Sequence, residues 1–114
     1  MRRFRELRRA GFAAAWLFVF AMGPEAIAQE YGDAVKGAIQ VQQICGTCHG
    51  VARGEASTNV LAPNLSDIAN TKGISGTAIN VALLTPHYDM PNFILTAQER
   101  SDVIAFILGL KTPK

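Results

Sequence analysis

The chain has 114 residues, 49% of them hydrophobic, and sets 11 Lys and Arg against nine Asp and Glu. Five of those basic residues (Arg2, Arg3, Arg5, Arg8, Arg9) and two of the acidic ones (Glu6, Glu25) lie in the first 28 positions, so residues 29–114 hold six basic and seven acidic residues, a formal charge of −1. That balance gives no support for nucleic acid or an anionic membrane surface as partner of the remaining chain.

Residues 1–28 read as a secretory signal peptide. A basic segment from Met1 to Arg9 is followed by an apolar run of 13 residues, Ala10 to Met22, then Gly23-Pro24 and the small-x-small triplet Ala26-Ile27-Ala28. The run is shorter than the roughly 18 residues a membrane-crossing helix needs. Cleavage after Ala28 is expected. It leaves one exported domain of 86 residues, 29–114, with no stable membrane span. An uncleaved N-terminal anchor is the alternative.

Asp33 stands where a helix cap is needed, and Ala34, Val35, Ala38, Ile39, Val41 and Ile44 recur near the helical period, which predicts a helix over 33–45. Gly37 interrupts it at a cost of roughly 1 kcal/mol relative to Ala, so it calls for a second helix close by. The helix runs into Cys45-Gly46-Thr47-Cys48-His49. This C-x-x-C-H run is the attachment signature of a c-type haem. Two thiols three positions apart can form thioethers with the two vinyl groups on one porphyrin edge, and the next residue can then offer an imidazole to the iron. One haem c, covalent through Cys45 and Cys48 with His49 as axial ligand, is the expected cofactor. Three other chemistries use the same residues. A redox dithiol wants a βαβ context, which the flanking sequence lacks. A zinc site needs more ligands than Cys45, Cys48, His49 and His87 provide at finger-like spacing. A disulfide would close too short a loop to stabilise much.

Residues 50–62 are rich in Gly, Ser, Thr and Asn and read as an irregular loop. Pro63-Asn64-Leu65 leads into a short helix near 66–70 capped by Asn64 or Ser66. Lys72 to Gly76 breaks the chain, and residues 77–84 form a third helix that ends before Pro86. Two prolines in Thr85-Pro86-His87-Tyr88-Asp89-Met90-Pro91-Asn92-Phe93 predict a stiff loop. Thr96 and Glu99 then form a capping box for a last helix, with Val103, Phe106, Ile107 and Leu110 on one face and Pro113 as its stop. Four helices without a convincing strand or repeat make the class all-α.

A haem iron held by one His has a sixth position, and its occupant separates electron transfer from ligand chemistry. Met90 is the only Met of residues 29–114 and lies in the proline-stiffened loop. It is the expected second ligand. His87 is its rival, and an open position, which would suit a haem enzyme or a gas or redox sensor, is the third possibility.

In the order helix with internal Gly, C-x-x-C-H, Pro63-Asn64-Leu65, Met90-Pro91 and final helix with Phe106, the chain resembles the small, soluble, class I bacterial cytochromes c over essentially all of residues 29–114. The resemblance implies about four helices wrapped around one covalently bound haem. It implies a monomeric periplasmic carrier of single electrons between respiratory or dehydrogenase redox partners. It also implies that the Pro63 carbonyl accepts a hydrogen bond from the His49 ring, that Gly37 and Phe106 meet where the first and last helices cross, and that Tyr88 reaches a haem propionate or the Met sulfur. Two departures stand out. The sole Trp, Trp16, lies in the leader, and residues 29–114 lack the Lys-rich docking face of mitochondrial-type cytochromes c.

Overall fold

Asp33 caps helix α1 (Ala34–Gln40), its carboxylate accepting the N–H groups of Val35 at 2.9 Å and Lys36 at 3.3 Å. In this computed structural model residues 32–87 and 89–113 are described, so the expected leader and Tyr88 lie outside the described residues. The remaining helices are α2 (Leu65–Asn70), α3 (Gly76–Leu84) and α4 (Ala97–Gly109). Among the described residues there is no strand, only a single bridge between His87 and Met90. The all-α class expected from the sequence is the class found.

The first helix departs from its expected form. Residues 41–45 continue α1 without a break but as a π-helical turn, Val41–Cys45, closed by the Gly46 N–H on the Val41 carbonyl at 2.9 Å. Hydrophobic period alone does not register one extra residue per turn. Such widened turns occur mostly as single insertions at functional sites, and here one delivers Cys45.

α1 lies directly on α4. A Cβ built on Gly37 would come within 1.9 Å of the Asp102 carbonyl oxygen and 3.0 Å of the Val103 nitrogen, so the two backbones touch and only glycine fits. The close approach predicted for Gly37 is therefore present, but α4 meets it with the backbone of Asp102 and Val103. Phe106, one turn further on, lines a surface cleft with Ala38 and Gln42 of the same crossing. Asp102, only 4% exposed, locks the crossing by accepting the Asp33 N–H at 2.7 Å and the Gln98 side-chain amide at 2.9 Å. Around it Val41 and Val103 are 0% and 1% exposed, and Leu65, Ile79, Ile104 and Ile107 complete the core. Burying each such side chain stabilises the fold by about 1.5–3 kcal/mol.

The ends of α4 have different causes. At its start the capping box is complete: Thr96 Oγ1 accepts the Glu99 N–H at 3.2 Å, and the Glu99 carboxylate accepts the Thr96 N–H at 2.7 Å. At its end the helix stops at Gly109, ahead of the expected stop at Pro113. Pro113 has no N–H to give the Gly109 carbonyl, and the Arg53 guanidinium supplies donors at this end, to the carbonyls of Gly109, Leu110 and Lys111 at 3.1, 3.1 and 2.8 Å. Asn70 accepts the Thr112 N–H at 2.9 Å and ties α2 to the same end. α3 is joined to α4 by Arg100, which donates to Asn80 Oδ1 at 3.2 Å and to the Leu95 carbonyl at 2.5 Å. Among the described residues no helix is long and apolar enough to cross a membrane.

Candidate functional site

The Cys45–His49 segment is a tight turn held by its own backbone. The N–H groups of Cys48 and His49 both bond the Cys45 carbonyl, at 3.1 and 2.9 Å, and Thr47 Oγ1 donates to the Ile44 carbonyl at 3.2 Å. Both thiols are unbridged and half-buried. Burial pushes the Cys45 thiol up from its ordinary value of 9.0, the reverse of the lowered pKa on which a redox dithiol depends. Among the described residues no three His, Cys, Asp or Glu side chains converge as an ion site.

His49 Nδ1 lies 2.7 Å from the Pro63 carbonyl oxygen. A carbonyl can only accept, so Nδ1 carries the proton and the other ring nitrogen keeps its lone pair. This is the arrangement expected for Pro63. What holds Pro63 in place is its neighbour. Asn64, buried, donates from Nδ2 to the carbonyls of Ala52, at 3.0 Å, and Glu55, while its Oδ1 accepts the Ser66 N–H and hydroxyl, both at 2.6 Å. The same loop is drawn toward the cysteines by Asn59 N–H on the Cys48 carbonyl at 3.1 Å and Thr58 Oγ1 on the Thr47 carbonyl at 2.6 Å. Inside the loop the Glu55 carboxylate accepts the N–H groups of Val51 and Ala52, both at 2.8 Å, and these bonds hold its pKa below the usual carboxylate value. Sequence reading singles out Asn64 only as a helix cap. Its larger part in the loop has no local signature, because its partners lie nine and 12 residues away.

Cys45, Cys48, His49 and Pro63 share one cavity with Met90 and His87. Its volume is about 310 Å³, inside the range of roughly 300–1,000 Å³ typical of cofactor pockets. The walls are apolar, with Leu65, Ile68, Ile79, Leu83, Val103 and Ile107 among them. Met90 is held by a turn in which its N–H bonds the His87 carbonyl at 3.3 Å and Asp89 takes the left-handed φ of 61°. His87, the rival of Met90 in the sequence, reaches the cavity as well as solvent.

These residues fit a haem. Free thiols sit beside an imidazole whose tautomer is already fixed for metal binding, an apolar cavity would exclude water from the ring, and a thioether borders the same space. No charged side chain of the core must be displaced to admit it, since Asp102 is engaged at the other side of the α1–α4 contact.

The comparisons agree with this chemistry. The family model for cytochrome c matches residues 34–111. The chain is also 34% identical over 79 residues to cytochrome c-552 of Bradyrhizobium diazoefficiens, an alignment that spans 69% of this chain and 76% of that protein. No solved structure matches it. With the C-x-x-C-H turn lying inside a match that runs through all four helices, the chain belongs to the cytochrome c family: it is an electron carrier rather than an enzyme, and its cofactor is a covalently held haem c.

Proposed function

We propose that the protein is a periplasmic carrier of single electrons in which His49 and Met90 are the two axial ligands, and that residues 1–28 are removed on export so that the chain begins at Gln29. The observation that carries the ligand assignment is the meeting of a Pro63-oriented His49 and the thioether of Met90 on one apolar cavity. When bound, the haem supplies an iron that takes up and gives back one electron. The protein limits rearrangement during that exchange. Pro86 and Pro91 fix the backbone on either side of Met90, and Pro63 holds the His49 ring.

The redox partners meet the protein at the mouth of the cavity. Leu61 and Phe93 line it while remaining exposed, and their neighbours Val60 and Ile94 are 94% and 98% exposed. Segments 56–66 and 73–98 carry only one charged residue, Asp89, with His neutral. Such a rim favours small, short-lived complexes with apolar contacts and little electrostatic steering.

The test is an optical spectrum of the exported holo-protein, ferric and reduced. A sulfur-to-iron charge-transfer band in the far red, lost on Met90→Ala, is the expected result; its absence from the wild type would overturn the ligand pair. Mass spectrometry of the same material is expected to give an N-terminus at Gln29, and a retained leader would overturn the cleavage after Ala28.

A further inference from the structure

The imidazole of His87 has no part in the reading above, yet it stands at the same cavity as Met90. The two residues form an antiparallel bridge, with the Met90 N–H on the His87 carbonyl at 3.3 Å. Directly paired residues put their Cβ atoms about 4.5–5.5 Å apart on one face of the pair. Thioether and imidazole are therefore presented from adjacent places on one short turn. Asp89, in the left-handed region at φ 61°, sets that turn, and Pro86 and Pro91 bracket it. His87 is exposed, and with the described residues its ring makes no hydrogen bond, so nothing there must be broken for it to turn inward. The chain has two His, and His49 is engaged by Pro63, which leaves His87 as its one spare imidazole.

We propose that His87 is a reserve axial ligand: when the bond to Met90 is lost, the His87 imidazole takes the sixth position. The inference rests on the reading of Met90 as the resident ligand. Imidazole is an established haem ligand, and exchanging thioether for imidazole lowers the potential, because it is the Met that raises it. A carrier that loses its Met would then stay six-coordinate and closed to small ligands, at a lower potential, instead of opening its iron to them.

The experiment compares four exported holo-proteins: wild type, Met90→Ala, His87→Asn and the double variant, with Met90→Leu as substitute should the Ala variant load haem poorly. Ferric spin state at neutral pH and carbon monoxide binding to the reduced form are the readouts. The expected pattern is a low-spin, two-nitrogen iron that resists carbon monoxide in Met90→Ala, a high-spin iron that binds it in the double variant, and a wild-type spectrum in His87→Asn. High-spin iron in Met90→Ala would overturn the proposal, as would a double variant that stays low-spin. A low-spin fraction that rises with protein concentration would also overturn it, since the imidazole would then come from a second copy. If wild type and Met90→Ala have identical spectra, the assignment of Met90 itself falls and this inference with it. High-spin Met90→Ala beside a normal wild type defeats the His87 inference alone.

Discussion

Replacing Gly37 by Ala puts a methyl group into the tightest contact of the fold. The added carbon would sit 1.9 Å from the Asp102 carbonyl oxygen and 2.5 Å from its carbonyl carbon, whereas ordinary contact begins at 3.4 Å. If separation alone relieves the clash, α1 must move off α4 by about 1.5 Å. A gap of about 0.5–1 Å already forfeits a quarter to a half of a dispersion contact, so Val41 and Val103 lose much of their packing across the crossing. Overpacked cores cost about 1–3 kcal/mol, and the upper end applies here because both colliding groups are helix backbone. Against about 3 kcal/mol of strain, Ala regains about 1 kcal/mol of helix preference over Gly, for a net loss of about 2 kcal/mol. In a domain of this size each kcal/mol moves Tm by roughly 4–8 °C, so Gly37→Ala is expected to melt roughly 8–16 °C lower. The assay is far-UV circular dichroism of the ferric holo-protein, with haem content matched to wild type. A Tm equal to or above wild type would show that the helices do not touch at Gly37, and the glycine would then need no structural reason.

Asn64→Ala removes a helix cap, worth about 1 kcal/mol, and strips the Ala52 and Glu55 carbonyls of a donor, which adds about 1–3 kcal/mol; the urea midpoint should fall and, because Pro63 shifts, the redox potential should move with it, while a variant with both unchanged would refute the role assigned to Asn64. The carboxyls of Glu55 and Glu99 have folded pKa values below their ordinary 4.5 because backbone N–H groups bond the ionised forms, so the stability they add is complete above that value and is lost as pH falls through the lower folded values. Urea midpoints measured downward from neutral pH should therefore fall on the acid side, and a Glu55→Gln, Glu99→Gln double variant should show a shallower fall; identical slopes would contradict the assignment. Arg53→Ala frees the last carbonyls of α4 and is expected to speed amide hydrogen exchange at Leu110 and Lys111 while leaving the haem spectrum unchanged. Unaltered exchange would mean that the guanidinium does not hold that helix end.

Local chemistry was legible in the sequence. Asp33, Asn64 and Thr96 announce helix starts because a cap acts on N–H groups two or three residues away, and each caps the helix that follows it. Cys45, Cys48 and His49 announce a haem because attachment needs those atoms within one turn. Gly37 announces a close approach, because a mid-helix glycine is otherwise a cost. What the sequence could not express is anything fixed by residues distant along the chain. The carbonyls left open at the end of α4 are taken up by Arg53, more than 50 residues away, a partner that Pro113 does not announce. Asp102 has no local reason to be buried, and becomes intelligible only when the Asp33 N–H, 69 residues earlier, arrives to meet it. Asn64 organises a loop whose members look like unrelated polar residues, and the widening of α1 into a π turn leaves its hydrophobic period almost unchanged. The sharing of one cavity by His49, His87 and Met90 is likewise a product of how the four helices close around a common core. Capping and covalent attachment act over a few bonds and leave short-range patterns, whereas buried polar pairing and cavity walls are made only when the chain folds back on itself.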